Sequence, residues 1–254
     1  NSVAALSSYS LFNHKATIEN LVNFSAVESK ILTKANALQQ YQSISNPYRV
    51  STSVLNWGSN GGVSNEAVLF LYAYRISHDI KFFNAALASY DYILGRNATT
   101  YSFITQFGEK STQNIHHRPS ESDGIVGSIP GFLAGGPNGG NKTDCGGVYN
   151  TYPAKAYLDE KCSFTTNEIA INWQAPFCYA ANAIAVEYKN WLASLPESFV
   201  ITSTNSLDFE RTEELKTFSV LTNKSISIET TDTWYSISPS SSDVSSVIAV
   251  TIEE

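Results

Sequence analysis

Apolar residues recur at three- and four-residue steps through the first forty positions, in VAALSSYSLF and again in ENLVNFSAVESKILTKANAL. That period gathers them on one helical face, so residues 1–40 are expected to be helical. The pattern fails across SISNPYRVSTSVLNWGSNGG, where Pro47 and the glycines Gly58, Gly61 and Gly62 predict a loop. Helical periodicity returns at Ser64 and Asn65, each a suitable N-cap, and runs through EAVLFLYAYRISH. Asp79 then caps a second helix, IKFFNAALASYDYIL, which Gly95 should stop. With almost nothing between them, the two predict an antiparallel hairpin.

Residues 96–165 are polar and rich in Gly and Pro, so a long loop is expected there, and loops of that length are usually functional. A long apolar helix pattern follows from Asn167 to about Leu195, with Pro176 expected to kink or break it. After Pro196 the period changes to two. SFVITSTNSLDF, TFSVLTN, SISIETT, WYSISPSSS and SVIAVTIEE are β-branched, Ser/Thr-rich and separated by turn signals. The expected layout is a helical domain over 1–196 and a small β-sandwich module over 197–254.

Composition narrows the function classes. The 254 residues are 43% hydrophobic and 12% aromatic, enough for a sizeable core and for aromatic platforms of the kind that stack on sugars. The net charge of −7 argues against nucleic acid, whose phosphates need a basic face. No apolar run approaches the ~20 residues of a membrane span. The chain begins with Asn and contains no Met, so it is expected to be a processed product or part of a longer polypeptide. Sequons at Asn23, Asn97, Asn141 and Asn223 give weak support for secretion and glycosylation. Cys145 and Cys162 bracket a short loop and could form one bridge, while Cys178, in an apolar helical run, is expected to be a buried thiol. Their spacings do not fit a zinc site.

The stretch HHRPSESDG (His116–Gly124) concentrates candidate chemistry. Alone it is open to four readings: a metal site, an acid/base pair, a sugar clamp or a basic loop. No third ligand has suitable spacing for a metal, and on an extended segment His116 and His117 point to opposite sides.

Its surroundings carry a resemblance. SFITQFGEKSTQNIHHR (Ser102–Arg118), with its Thr, Gly, basic residue and His-x-Arg in order, resembles a signature of glycoside hydrolase family 9, the inverting cellulases. PGFLAGGPN (Pro130–Asn138) is similar to the glycine-rich segment that follows it. YLDEKCSFTTNEIAINWQA (Tyr157–Ala175) resembles the second signature, an aromatic-x-Asp followed by a further aromatic and Asn-Glu-x-Ala. WGSN (Trp57–Asn60) and YPAKAYLD fit in order, and the resemblance covers residues 1–195.

The resemblance implies a mainly α fold, the C-terminal half of an (α/α)6 barrel with an open cleft for β-1,4-glucan. It implies Glu168 as the general acid, Asp159 as a supporting carboxylate, and His116 and Arg118 as groups that hydrogen-bond sugar hydroxyls near the cleaved bond. Trp57 would stack under a glucose unit, while His117 is expected to be structural. A general acid must stay protonated near neutral pH, and apolar neighbours favour that. Two departures stand out: Gly61 and Gly62 replace an aromatic common in the family, implying a weaker subsite, and Gln174 replaces an Asn, implying a shifted hydrogen bond near the acid.

An inverting site needs two carboxylates ~6.5–9.5 Å apart, and no Asp-Ala-Gly-Asp type motif for the base occurs here; DCGG (Asp144–Gly147) lies between the two signatures and is not it. The base is therefore expected from an upstream half of the domain, in the same polypeptide or in a separate chain. The competing expectation is a non-catalytic glycan-binding or structural subunit. No cofactor or metal is expected, the glucan is the expected partner, and the expected location is outside the cell. The C-terminal segment is similar to the small BACON-type β-sandwich found beside bacterial glycan-degrading enzymes, with Trp234 expected in its core.

Overall fold

A computed structural model describes residues 3–194, 200–203, 207, 215–222, 225–229, 235–242 and 245–252. The chain divides into two compact units, Asn1–Ile184 and Ala185–Glu254. Trp234 and the Asn223 sequon lie outside the described residues.

The N-terminal helical region is three helices: α1 (Val3–Asn13), α2 (Lys15–Ile18) and α3 (Phe24–Ile44). The interruption before α3 comes from Asn23, whose side chain accepts from Ala26 N at 3.2 Å and caps the new helix. α4 (Ser59–Ser77) and α5 (Ile80–Ile93) form the predicted hairpin, with the Asp79 side chain accepting from Lys81 N at 3.1 Å as the α5 cap. α4 differs from expectation at its start: it begins at Ser59, inside the predicted loop. Ser64 and Asn65 do not cap it. They bond back to the carbonyls one turn earlier, at Asn60 (2.8 Å) and Gly61 (2.7 Å).

The glycines that read as loop are there for close packing. A Cβ on Gly61 would fall well inside contact distance of the Trp173 indole, and one on Gly58 would come within 2.7 Å of Trp173 Nε1. Gly58 also sits at φ 76°, a left-handed conformation that side chains resist. Trp173 thus packs into a cradle of glycine backbone.

Residues 96–165 hold a packed scaffold of short elements. They include α6 (Arg118–Ser122), two single 3-10 turns, and bridges pairing Ile104 with Leu133 and His116 with Glu168. Phe103, Ile104 and Leu133 from this scaffold join Val50, Val63, Tyr92, Ile93 and Phe177 in one buried core. α7 (Phe164–Asn167) and α8 (Ile171–Ser194) follow. α8 passes through Pro176 without ending. It stacks Phe177 on Tyr90 of α5 (5.1 Å) and Tyr179 on Tyr72 of α4 (6.0 Å).

One expectation fails here, and one sequon is enclosed. Cys178 is exposed, because it lies on the outer side of α8 while its neighbour Phe177 faces the core. The Asn97 sequon is buried, with its Nδ2 donating to Tyr92 O (2.7 Å) and Tyr101 O (2.9 Å), so that amide is structural. Asn141 is exposed. Cys145 and Cys162 form a disulfide.

In the second unit, β1 (Val200–Thr202), β2 (Leu215–Thr222), β4 (Tyr235–Ser238) and β6 (Ser245–Ile252) make an antiparallel sheet in the order β1-β2-β6-β4. The short strands β3 (Ile226–Ser227) and β5 (Ser241–Ser242) pair separately. Alternation along β2 exposes Leu215, Thr217 and Ser219 and turns Phe218 and Val220 inward, with Phe218 directly opposite buried Ile248. No helix among the described residues is long and apolar enough to cross a membrane.

Candidate active site

Glu168 lies on the extended link between α7 and α8, at φ −69° and ψ 153°, and not inside the helix the periodicity predicted from Asn167. The carbonyls that would propagate that helix are taken by other strands of chain. Asn167 O accepts from His116 N at 2.9 Å, and Glu168 O accepts from Gly135 N at 3.0 Å. Three segments far apart in sequence therefore fix the Glu168 backbone: the His116 strand, the glycine-rich stretch and α7.

The Glu168 side chain meets Trp57. The indole Nε1–H donates to Glu168 Oε2 at 3.1 Å. Indole nitrogen only donates, so this bond commits Oε2 as acceptor and leaves Oε1 outside the contact with Trp57. Trp57 is 51% exposed and leans on Phe164, ring centroids 5.7 Å apart. One face of the indole therefore remains open to a planar ligand surface.

His116 borders the same Phe164 ring, at 6.0 Å. Its Nδ1 bonds Lys161 O at 2.7 Å. A carbonyl only accepts, so Nδ1 carries the hydrogen and Nε2 is the edge that can accept from, or when protonated donate to, a ligand hydroxyl. His117 turns elsewhere, bonding Ser120 Oγ at 2.9 Å and packing edge-on against Phe132. Arg118 opens α6, is exposed, and its guanidinium has no partner among the described residues. The structure thus brings Trp57, His116 and Glu168 together around Phe164, with Arg118 two residues beyond His116.

Asp159 does not hydrogen-bond Glu168. Its Oδ1 accepts from Gln113 N (3.1 Å), Asn114 N (2.9 Å) and Asn167 Nδ2 (3.2 Å), and its Oδ2 from Gln113 N (2.9 Å). Asn167, fully buried, also donates to Asn114 O (2.6 Å) and accepts from the Tyr157 hydroxyl (2.6 Å). Asp159 is therefore joined to Asn167, the residue before Glu168, and to the backbone of Gln113 and Asn114 on the way to His116.

The Gln174 amide bonds Leu133, accepting from its N–H (3.0 Å) and donating to its carbonyl (2.7 Å), and so clamps the glycine-rich segment to α8. Beyond Trp57, Trp173 fills the space that any side chain at Gly61 would need. Sequence reading missed Phe164 as the shared floor, and it missed Asp144. That carboxylate is buried and takes the Thr165 N–H (2.8 Å) and the Tyr149 hydroxyl (2.7 Å). Burial alone would raise its pKa, but these donors together hold it below the usual carboxylate value. The available signal was an Asp immediately before a cysteine that bridges back to the acid's segment. Among the described residues, no group of three His, Cys, Asp or Glu side chains is placed to hold a metal.

The family model for glycosyl hydrolase family 9 matches residues 2–181. The chain belongs to this family. Among family 9 relatives, it is 42% identical over 121 residues to a xyloglucan-specific endo-β-1,4-glucanase of Bacteroides ovatus, covering 47% of this chain and 20% of that protein. It is 32% identical over 196 residues to endoglucanase C of Cellulomonas fimi, covering 72% of this chain and 17% of that protein. A solved family 9 structure from Bacteroides ovatus aligns with a TM-score of 0.57 at 31% identity, over 63% of this chain and 28% of that one. A metagenome-derived family 9 endoglucanase aligns with a TM-score of 0.58 at 30% identity, over 64% and 29%. The solved family 9 neighbours have an (α/α)6 barrel. The chain spans a third or less of each of these proteins.

Proposed function

We propose that this chain carries the acid side of a family 9 glycosidase that hydrolyses β-1,4-glucosidic bonds in cellulose or related glucans with inversion. Glu168 is the general acid. It protonates the glycosidic oxygen as the C–O bond breaks, while a water attacks the anomeric carbon from the opposite face and gives its proton to a second carboxylate. That base comes from an upstream half of the catalytic domain, in the same polypeptide or a partner chain. Trp57 stacks under one glucose unit, and His116 and Arg118 bond hydroxyls beside the cleaved linkage. The β-strands beyond residue 196 form an appended module of the BACON type, and the enzyme works outside the cell.

The observation that carries this reading is the indole N–H of exposed Trp57 on the Glu168 carboxyl, with His116 on the same aromatic floor. It joins a proton donor to a sugar-sized flat platform. The paired N–H donors on Asp159 support an orienting role for that residue. The test is the anomeric configuration of fresh product, followed by proton NMR, when the protein with its complete catalytic domain cleaves cellopentaose. Inversion gives the α-anomer first. Initial β-anomer refutes the inverting assignment, and absence of cleavage refutes the enzyme.

A further inference from the structure

The segment that fixes the site is itself held by a second polar cluster. Asp144 sits at the neck of the loop closed by the Cys145–Cys162 bond. Its carboxylate accepts the Thr165 N–H at 2.8 Å, the Thr165 hydroxyl at 3.0 Å and the Tyr149 hydroxyl at 2.7 Å. With Tyr149 donating to Asp144, the remaining hydroxyl contacts fall into one order. Ser163 donates to Tyr149 (2.7 Å), Thr166 donates to Ser163 (2.5 Å), and Leu158 N donates to Thr166 (3.3 Å). An ionised carboxylate only accepts, so it sets the direction of every bond in the chain. Ser163, Thr165 and Thr166 are buried, where an unmade bond costs most.

The clamped segment supplies several of the contacts around the reacting groups. Lys161 O takes the His116 ring, Phe164 lies against both Trp57 and His116, and Asn167 O takes the His116 N–H. The disulfide joins Cys162, next to Lys161, to Cys145, next to Asp144. Cys162 is exposed, so a thiol has access to it.

We propose that Asp144 is a positioning residue for Glu168 and His116, and that the Cys145–Cys162 bond makes this clamp sensitive to thiol reductants. This rests on the catalytic reading above. A thiolate attacks the Cys162 sulfur, the S–S bond breaks, and Cys145 leaves as a thiolate that takes a proton. A second thiol then displaces Cys162 from the mixed disulfide. Two external thiols are oxidised to one disulfide and two cysteines are reduced. Cys178 is already a free thiol, so no other bond in the chain responds.

The test uses the protein with its complete catalytic domain, oxidised or reduced with dithiothreitol, beside Asp144→Asn and the Cys145→Ser/Cys162→Ser pair. Two quantities are read: amide hydrogen exchange at Thr165, Asn167 and His116, and kcat and KM on cellopentaose. The clamp predicts exchange at these amides faster by about tenfold or more. It also predicts kcat lower by about ten- to a hundredfold, as for a displaced catalytic group, with KM nearly unchanged. Unchanged exchange overturns the clamp, and so does faster exchange with wild-type kcat. The reduced wild-type protein keeps the test intact if a variant fails to fold. If the oxidised wild type does not cleave cellopentaose, the catalytic reading fails, and the exchange data still decide whether the clamp exists.

Discussion

At the scale of single residues, the polar side chains of the site divide their atoms between bonds already made and edges left free. Glu168 has one oxygen held by Trp57, and His116 has one nitrogen held by Lys161. Trp57→Phe keeps an aromatic face but removes the N–H. It should lower kcat on cellooligosaccharides by about tenfold, the weight of one hydrogen bond to a charged group, with a smaller change in KM. Equal kcat in the variant would show that the indole bond has no part in the reaction. Trp57→Ala should in addition raise KM, since the platform goes with the ring. At this scale the resemblance to family 9 motifs singles out Glu168, His116 and Trp57, and the structure brings the three side chains together. The roles of neighbours were less legible. Asp159 is expected to support the acid and Gln174 to shift a hydrogen bond near it; Asp159 bonds Asn167 and a backbone turn, and Gln174 bonds Leu133. Their actual partners lie in segments that periodicity says nothing about.

Among the elements, the α4–α5 hairpin and its Asp79 cap followed from periodicity and capping chemistry. The start of α4 did not, because glycine signals both flexibility and close approach, and only the presence of Trp173 separates the two. Gly61→Ala places a methyl group in the space of the Trp173 indole. It should destabilise the fold by about 1–3 kcal/mol, as overpacked cores do, read as a lower midpoint of chemical unfolding. A wild-type midpoint would mean that Trp173 has room to move. Gly62→Ala, which meets only the Thr52 hydroxyl at 3.9 Å, is the control and should be tolerated. The helix predicted from Asn167 begins instead at Ile171 for a related reason: tertiary donors from His116 and Gly135 capture the carbonyls that helical bonds would use. That competition produces the extended link on which the acid is displayed.

For the molecule as a whole, one half-buried carboxylate outside the site sets a pH dependence. Burial raises Glu66 on α4 from 4.5 to about 7, against smaller downward pulls from the Thr52 hydroxyl and Lys34. Its folded pKa lies above its unfolded value, so the protonated side chain favours the fold. That contribution is fully present below about pH 4.5 and is lost as pH rises through 7. Glu66→Gln should remove a decline on the order of 3 kcal/mol between those limits, measured as unfolding free energy against pH. A variant that declines as steeply as wild type would exclude Glu66 as the source. The chain also exposes large apolar side chains, with Ile171 88% and Leu21 84% exposed. The family and its helical architecture were legible because ordered motifs recur along the chain. The packing of the polar segment between residues 96 and 165 was not, because its core is made by scattered residues such as Phe103 and Leu133 without a period.

In the proposed mechanism Glu168 delivers the proton. Glu168→Gln keeps the shape and the acceptor for Trp57 while removing the acid. In the protein with its complete catalytic domain, reducing-end release from carboxymethylcellulose should fall about 10²–10⁴-fold, with cellopentaose still bound. Activity within a few-fold of wild type would contradict the assignment.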